Sequence, residues 1–131
     1  MLIYNLDHCD VAHEKRLVNG SRGVVCGMAS YEECVLQLES EEVKARDATK
    51  RAQRDGAALG NSPDADAMVA SRSTALKHYA ANLEAKGRAS DSLVFPRIRF
   101  ANGVCKIISP CCFSQQLFDG GYVFRIQLPI R

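Results

Sequence analysis

The groups in this chain best suited to chemistry are six cysteines, three histidines and fifteen carboxylates. Their spacing decides what they can do. A zinc site takes its ligands in close pairs such as Cys-x-x-Cys. No such pair occurs, and Cys111 and Cys112 are adjacent, a spacing poorly suited to a shared ion. His8, Cys9 and His13 could be set beside Cys26 or Cys105, but the polar stretch from Asp7 to Lys15 has no helical pattern to align the rings. The expectation is scattered buried thiols of a reduced, intracellular protein, with no metal. Carboxylates and histidines show no paired spacing for acid–base work, and no cysteine has a nearby histidine partner. Without a Gly-x-x-x-x-Gly-Lys-Ser/Thr loop nothing cradles a nucleoside triphosphate. An independent enzyme is not expected.

The remaining chemistry is positive charge, and the elements must place it. The chain has 131 residues, one domain's worth, and a net charge of +2. Residues 1–29 with 91–131 carry eight Lys/Arg and five Asp/Glu, whereas 30–90 carry nine and ten. This asymmetry permits nucleic-acid binding without requiring it. No apolar run approaches the ~20 residues of a membrane span, and the N-terminus lacks the basic region and apolar core of a secretory signal.

Residues 2–6 read as a short strand. Asn19-Gly20 marks a tight turn, Gly23 a second reversal, and Val24 to Met28 a strand. From Ser30 the apolar period changes to about 3.6. Ser30-Tyr-Glu-Glu33 fits a capping box opening a helix with the stripe Tyr31, Cys34, Val35, Leu38, Ala45, Ala48 and Ala52. Gly56 to Pro63 reads as a turn or linker. A second helix follows, with Ser62 as cap, Pro63 at its first position, the stripe Ala65, Met68, Val69, Leu76, Tyr79, Ala80 and Leu83, and Gly87 past its end. An antiparallel helical hairpin and an alanine-rich, partly disordered spacer both fit this region. Beyond it, Arg97–Ala101 and Val104–Ile108 flank Asn102-Gly103, which predicts a two-residue turn. That register sets Phe100 against Cys105 and Ile98 against Ile107 on one face. Arg99 against Lys106, with Arg97 beside Ile108, makes the other face basic and directed away from the core. Pro110 and the double cysteine are expected to break the pairing. Gly120-Gly121 turns into a last strand, with Tyr122, Phe124, Ile126 and Leu128 inward and Pro129 ending it.

Three stretches resemble one known family. Arg16-Leu-Val-Asn-Gly-Ser-Arg-Gly-Val-Val25 is similar to the Leu-Val-Asn-Gly-x-x-Gly-Val-Val signature in the accessory 2B barrel of Pif-type (petite integration frequency) superfamily I DNA helicases. Met1 to Asp7 resembles the strand before that signature, and Arg125-Ile-Gln-Leu-Pro129 the strand after the barrel. The resemblance covers about the first 30 and last 40 residues and implies a fragment of a larger motor. It implies a mainly β small barrel of the Src-homology type, α+β overall: residues 1–29 and 91–131 form the barrel, and the helical hairpin of residues 30–90 is inserted. Asn19, Gly20, Gly23, Gln127 and Pro129 would be its structural signature. The parent activity implied is ATP-dependent 5′ to 3′ unwinding in DNA replication, repair, recombination or telomere and mitochondrial genome maintenance, in nucleus or mitochondrion. ATP and magnesium would be bound by the parent motor cores, with no cofactor in this fragment. The partners would be those motor domains and single-stranded DNA, for which Arg22, Arg97, Arg99 and Lys106 are the candidate contacts. The rival reading is a stand-alone adaptor that binds a protein or nucleic-acid partner through the basic hairpin or the insert.

Overall fold

The computed structural model describes residues 1–3, 6, 13–54 and 63–131. The described residues form a small α+β protein with two α-helices and two antiparallel sheets. β1 (Gly23–Ser30) leads directly into α1 (Tyr31–Arg54), and α2 (Pro63–Ala85) returns to β2 (Val94–Phe100). β1 and β2 pair along their whole length from Gly23↔Phe100 to Ser30↔Val94, so the helical segment leaves and re-enters the sheet on neighbouring strands. β3 (Cys105–Ile107) completes the first sheet in the order β1-β2-β3, while β4 (Cys111–Gln116) and β5 (Tyr122–Gln127) form the second.

The capping box opens α1 as its sequence requires. Ser30 N–H donates to Glu33 Oε2 at 2.8 Å, and Glu33 N–H donates to Ser30 Oγ at 3.2 Å. α2 closes with Gly87 at φ +77°, Arg88 N–H bonded to the Leu83 carbonyl and Gly87 N–H to that of Glu84, which satisfies carbonyls that a helix end leaves open. The helices run antiparallel, the first half of α1 against the second half of α2. Cys34, Leu38 and Leu76 join Ala29, Phe95 and Ile107 in one buried cluster. Beyond Leu38, α1 has no fully buried side chain among those described, and Arg54 still ends a continuous helix. A second cluster, Leu2, Leu6, Leu17, Ile98, Phe100, Ile108 and Cys111, lies between the two sheets.

Several expectations change. The turn after β2 has three residues, Ala101, Asn102 and Gly103: Phe100 N–H bonds to the Val104 carbonyl, and Gly103 N–H to that of Phe100. Asn102 Oδ1 accepts from Val104 N–H at 3.2 Å, and Gly103 alone needs left-handed φ, +82°. An Asn side chain that bonds two residues ahead favours this turn over the two-residue form, in which both central residues need positive φ. The register moves by one, setting Arg99 opposite Cys105, Ile98 opposite Lys106 and Arg97 opposite Ile107. Gly23 makes no reversal. It starts β1, where a Cβ would lie 2.6 Å from Ile98 Cγ2 and 2.7 Å from the Arg99 carbonyl oxygen, so it serves close strand approach. Pairing of the first hairpin ends at Ile107, before Pro110, as expected, but the double cysteine is not part of the break, since Cys111 and Cys112 begin β4 opposite Gln127 and Ile126. Tyr122 and Phe124 are exposed, because nothing among the described residues covers that end of the ribbon.

The strand read over residues 2–6 reduces, among the described residues, to a bridge between Leu2 and Ile130. Tyr4 and Asn5 of that strand, His8 and Cys9, the 56–62 turn with Ser62, and the side chains of Ala52, Ala65 and Met68 lie outside the described residues.

Candidate nucleic-acid interface

Asn19-Gly20 supplies the first turn of the site, with Gly20 at φ +93°. Val18 N–H donates to Ser21 Oγ at 3.0 Å, and Ser21 N–H to the Val18 carbonyl at 2.9 Å. Leu2 is held between this turn and the end of the chain. Its N–H reaches the Ser21 carbonyl, its carbonyl accepts from Gly20 N–H, and it bridges to Ile130. On either side, Ile3 N–H donates to the Pro129 carbonyl, while Met1 and Arg131 exchange backbone bonds. Leu2 and Ile3 thus join the Asn19-Gly20 turn to Pro129 and Ile130, although more than a hundred positions separate the two chain segments. Leu17 and Pro129 are buried there and Gln127 is half-buried; Asn19 is exposed.

The turn also meets the β2–β3 hairpin, where Ala101 N–H donates to the Arg22 carbonyl at 2.9 Å. Between them lies an open cleft of about 200 Å³ lined by Glu14, Arg16, Ser21, Arg22, Phe100, Ala101 and Asn102. Arg16 and Arg22, with Ser21 and Asn102, give the cleft groups that suit an anionic oxygen such as a phosphate, against the like charge of Glu14. Arg16 and Asn102 were not read as contacts from sequence. Arg16 lies within the signature stretch, but only the fold brings Asn102 to it.

The four candidate cations separate. Arg22 and Arg99 are exposed. Arg97 is 40% exposed and donates to Glu33 Oε1 at 3.0 Å. Glu33 thus uses one oxygen on the helix cap and the other on the sheet. The Ser30 backbone N–H, aided by Arg97, holds its carboxyl below the usual range. Lys106 is only 12% exposed, and its Nζ lies 3.2 Å from Glu41 Oε1. The other oxygen of Glu41 takes Arg72 Nη2 at 2.5 Å, tying α1, α2 and β3 together. Arg72 is 4% exposed, and its Nε is buried without a hydrogen-bond partner among the described residues. The basic face expected of Arg97, Arg99 and Lys106 is therefore not one open face: the shifted register removes Lys106 from opposite Arg99, and α1 brings carboxylates to two of the three. In the sequence Glu33 is legible only as a cap.

The thiols also differ from expectation. Cys34 and Cys111 are buried, and burial pushes their thiols up to about 12 and about 11. Cys112 is half-buried, whereas Cys26 and Cys105 are exposed with sulfurs 3.7 Å apart. Among the described residues no group of three or more His, Cys, Asp or Glu is placed to hold a metal ion. No helix among them is long and apolar enough to cross a membrane.

Comparison with protein-family models, with curated proteins and with solved structures finds no match to this chain.

Proposed function

We propose that this chain is an accessory 2B-like region of a Pif-type helicase, a DNA-contacting element carried beside ATP-driven motor domains that belong to other parts of the parent protein. The observation that carries this reading is that backbone bonds join the three stretches, Leu2 with Gly20 and Ser21 and Ile3 with Pro129, since a chance likeness of separated segments carries no requirement that they touch. The small-barrel architecture belongs to the same proposal. It is supported by the bulge between Val25 and Gly27, which curves β1, and by a core shared between the β1–β3 and β4–β5 sheets. On this reading Arg22 and Arg99, with Arg16 at the cleft, engage the backbone of single-stranded DNA. Arg97 and Lys106 chiefly fasten the insert to the sheet. ATP, magnesium and unwinding remain properties of the parent motor, and the nuclear or mitochondrial setting follows the same resemblance.

Anisotropy of labelled oligothymidine with the full chain tests the proposal. Binding is expected to be weak and insensitive to sequence, and to fall with salt at about 0.7 per phosphate contact. Arg22→Gln with Arg99→Gln should flatten that slope, and Lys106→Gln should leave it unchanged. A double variant with the parent's affinity and slope would remove these arginines from the interface. The adaptor reading is favoured by a different observation, the exposed Tyr122, Phe124 and Phe118 of the β4–β5 ribbon. For an adaptor with a protein partner at this ribbon, no salt-dependent DNA binding is expected.

A further inference from the structure

Cys26 and Cys105 lie on β1 and β3, the two edges of the first sheet, with β2 between them, yet their sulfurs stand 3.7 Å apart. The pairing irregularity between Val25 and Gly27 falls at Cys26, whose thiol also donates to the Arg97 carbonyl at 3.4 Å. Both cysteines are exposed. Cys26 Sγ thus lies within reach of both the second sulfur and a carbonyl oxygen, through thiol hydrogen bonds.

Distances decide what such a pair accepts. A disulfide needs Cα atoms within roughly 4.4–6.8 Å, whereas strands two places apart in a sheet are separated by about 9.6 Å. Bringing the sulfurs to about 2.05 Å would drag an edge strand across β2. A tetrahedral ion with metal–sulfur bonds of about 2.3 Å instead holds two thiolates about 3.8 Å apart, nearly the separation already present.

We propose that Cys26 and Cys105 form a two-thiolate clamp for a thiophilic d10 metal ion of the zinc type, with water completing its coordination beside the Arg97 carbonyl. Each thiol releases its proton as its metal–sulfur bond forms, so one divalent ion enters, two protons leave and no electron is transferred. The hydrogen bond with Cys26 raises the Cys105 thiol, which opposes this, while Arg97 and Arg99 act in the other direction. Buried Cys34 and Cys111 do not compete, since the ionised forms a metal needs are suppressed there. Bound metal would tie β1 to β3 across the strand that carries Arg97 and Arg99. This inference does not depend on the proposed function.

The test is titration of the reduced full chain with cadmium ion under anaerobic conditions, following the ultraviolet thiolate-to-metal band and proton release. One ion per chain and two protons per ion are expected. Cys26→Ser and Cys105→Ser should each weaken binding by more than the roughly 10–100-fold that loss of an outer partner costs a metal site; Cys112→Ser should leave it unchanged. Cadmium-113 resonance on the unmutated chain reports the number of bound sulfurs directly, so a variant that fails to fold does not protect the idea. Absence of a band, a band surviving in Cys26→Ser or Cys105→Ser, or ready formation of a Cys26–Cys105 disulfide with oxidised glutathione would each overturn the clamp.

Discussion

The two β-hairpins share one turn and meet opposite fates. Ala101-Asn102-Gly103 and Phe118-Asp119-Gly120 are three-residue loops with a final glycine at φ +82° and +84°, each with an Asx oxygen accepting from the N–H two residues on. Beyond the turn they diverge. β2–β3 is covered by α1: Gln37 donates from Nε2 to the Ile107 carbonyl and accepts Ile107 N–H at Oε1, both at 2.8 Å, which closes the outward edge of β3 much as another strand would. Among the described residues β4–β5 has no such cover at its far end, where Tyr122 and Phe124 stand exposed with ring centroids 6.3 Å apart. Strand pattern therefore does not decide which face is buried here. The insert does.

Mutation can break that contrast. Phe95→Ala should have the largest effect, because Phe95 fills the seam between β2 and the helices against Tyr79; a loss of about 3–5 kcal/mol is expected in denaturant unfolding. Gln37→Ala leaves the edge amide and carbonyl of Ile107 without their protein partner and should cost about 1–3 kcal/mol, with faster amide exchange at Ile107 as the specific sign. Ser30→Ala removes the cap of α1, for about 1 kcal/mol.

The partner of that cap sets a pH dependence. Because the folded state holds Glu33 below its ordinary 4.5, its contribution is present above that value and is lost as pH falls below it. Glu33→Gln should therefore flatten the acid side of the stability profile, measured as unfolding midpoint against pH. At the far hairpin, Tyr122→Ser or Phe124→Ser should change stability by no more than about 0.5 kcal/mol. A large loss there would mean that the ribbon is covered in solution, and the contrast with β2–β3 would fail.

What could be read in advance was local. The cap of α1, the Gly87 stop of α2 and the Asn102-Gly103 turn each depend on residues within a few positions, and all are present. The register was missed by one because Asn-Gly fits two turn lengths, and that single step moved Lys106 from an open face to a pair with Glu41. Gly23 was assigned to the wrong cause because its neighbours, Ile98 and Arg99, lie more than seventy residues away. Arg72 sits on the buried stripe of α2 between Val69 and Leu76, and its charge hid that position until Glu41 was found opposite. The aromatic residues of β5 alternate as a half-buried strand should, but alternation shows that two faces differ, not which face has a partner. At the candidate site, the Asn19-Gly20 turn was readable, whereas the cleft with Asn102 required the tertiary fold.

The pairing of Met1–Ile3 with Pro129–Arg131 has a mechanical meaning. The two chain ends lie side by side at one end of an antiparallel pair, Met1 against Arg131 and Leu2 against Ile130. Tension applied through them would load these bonds one after another, like opening a zip, and would not share the load among them as sliding would. The first yielding event under load should therefore be a low-force peeling that releases Leu2 from the Gly20 turn, with the helices and the β1–β2 pairing still in place.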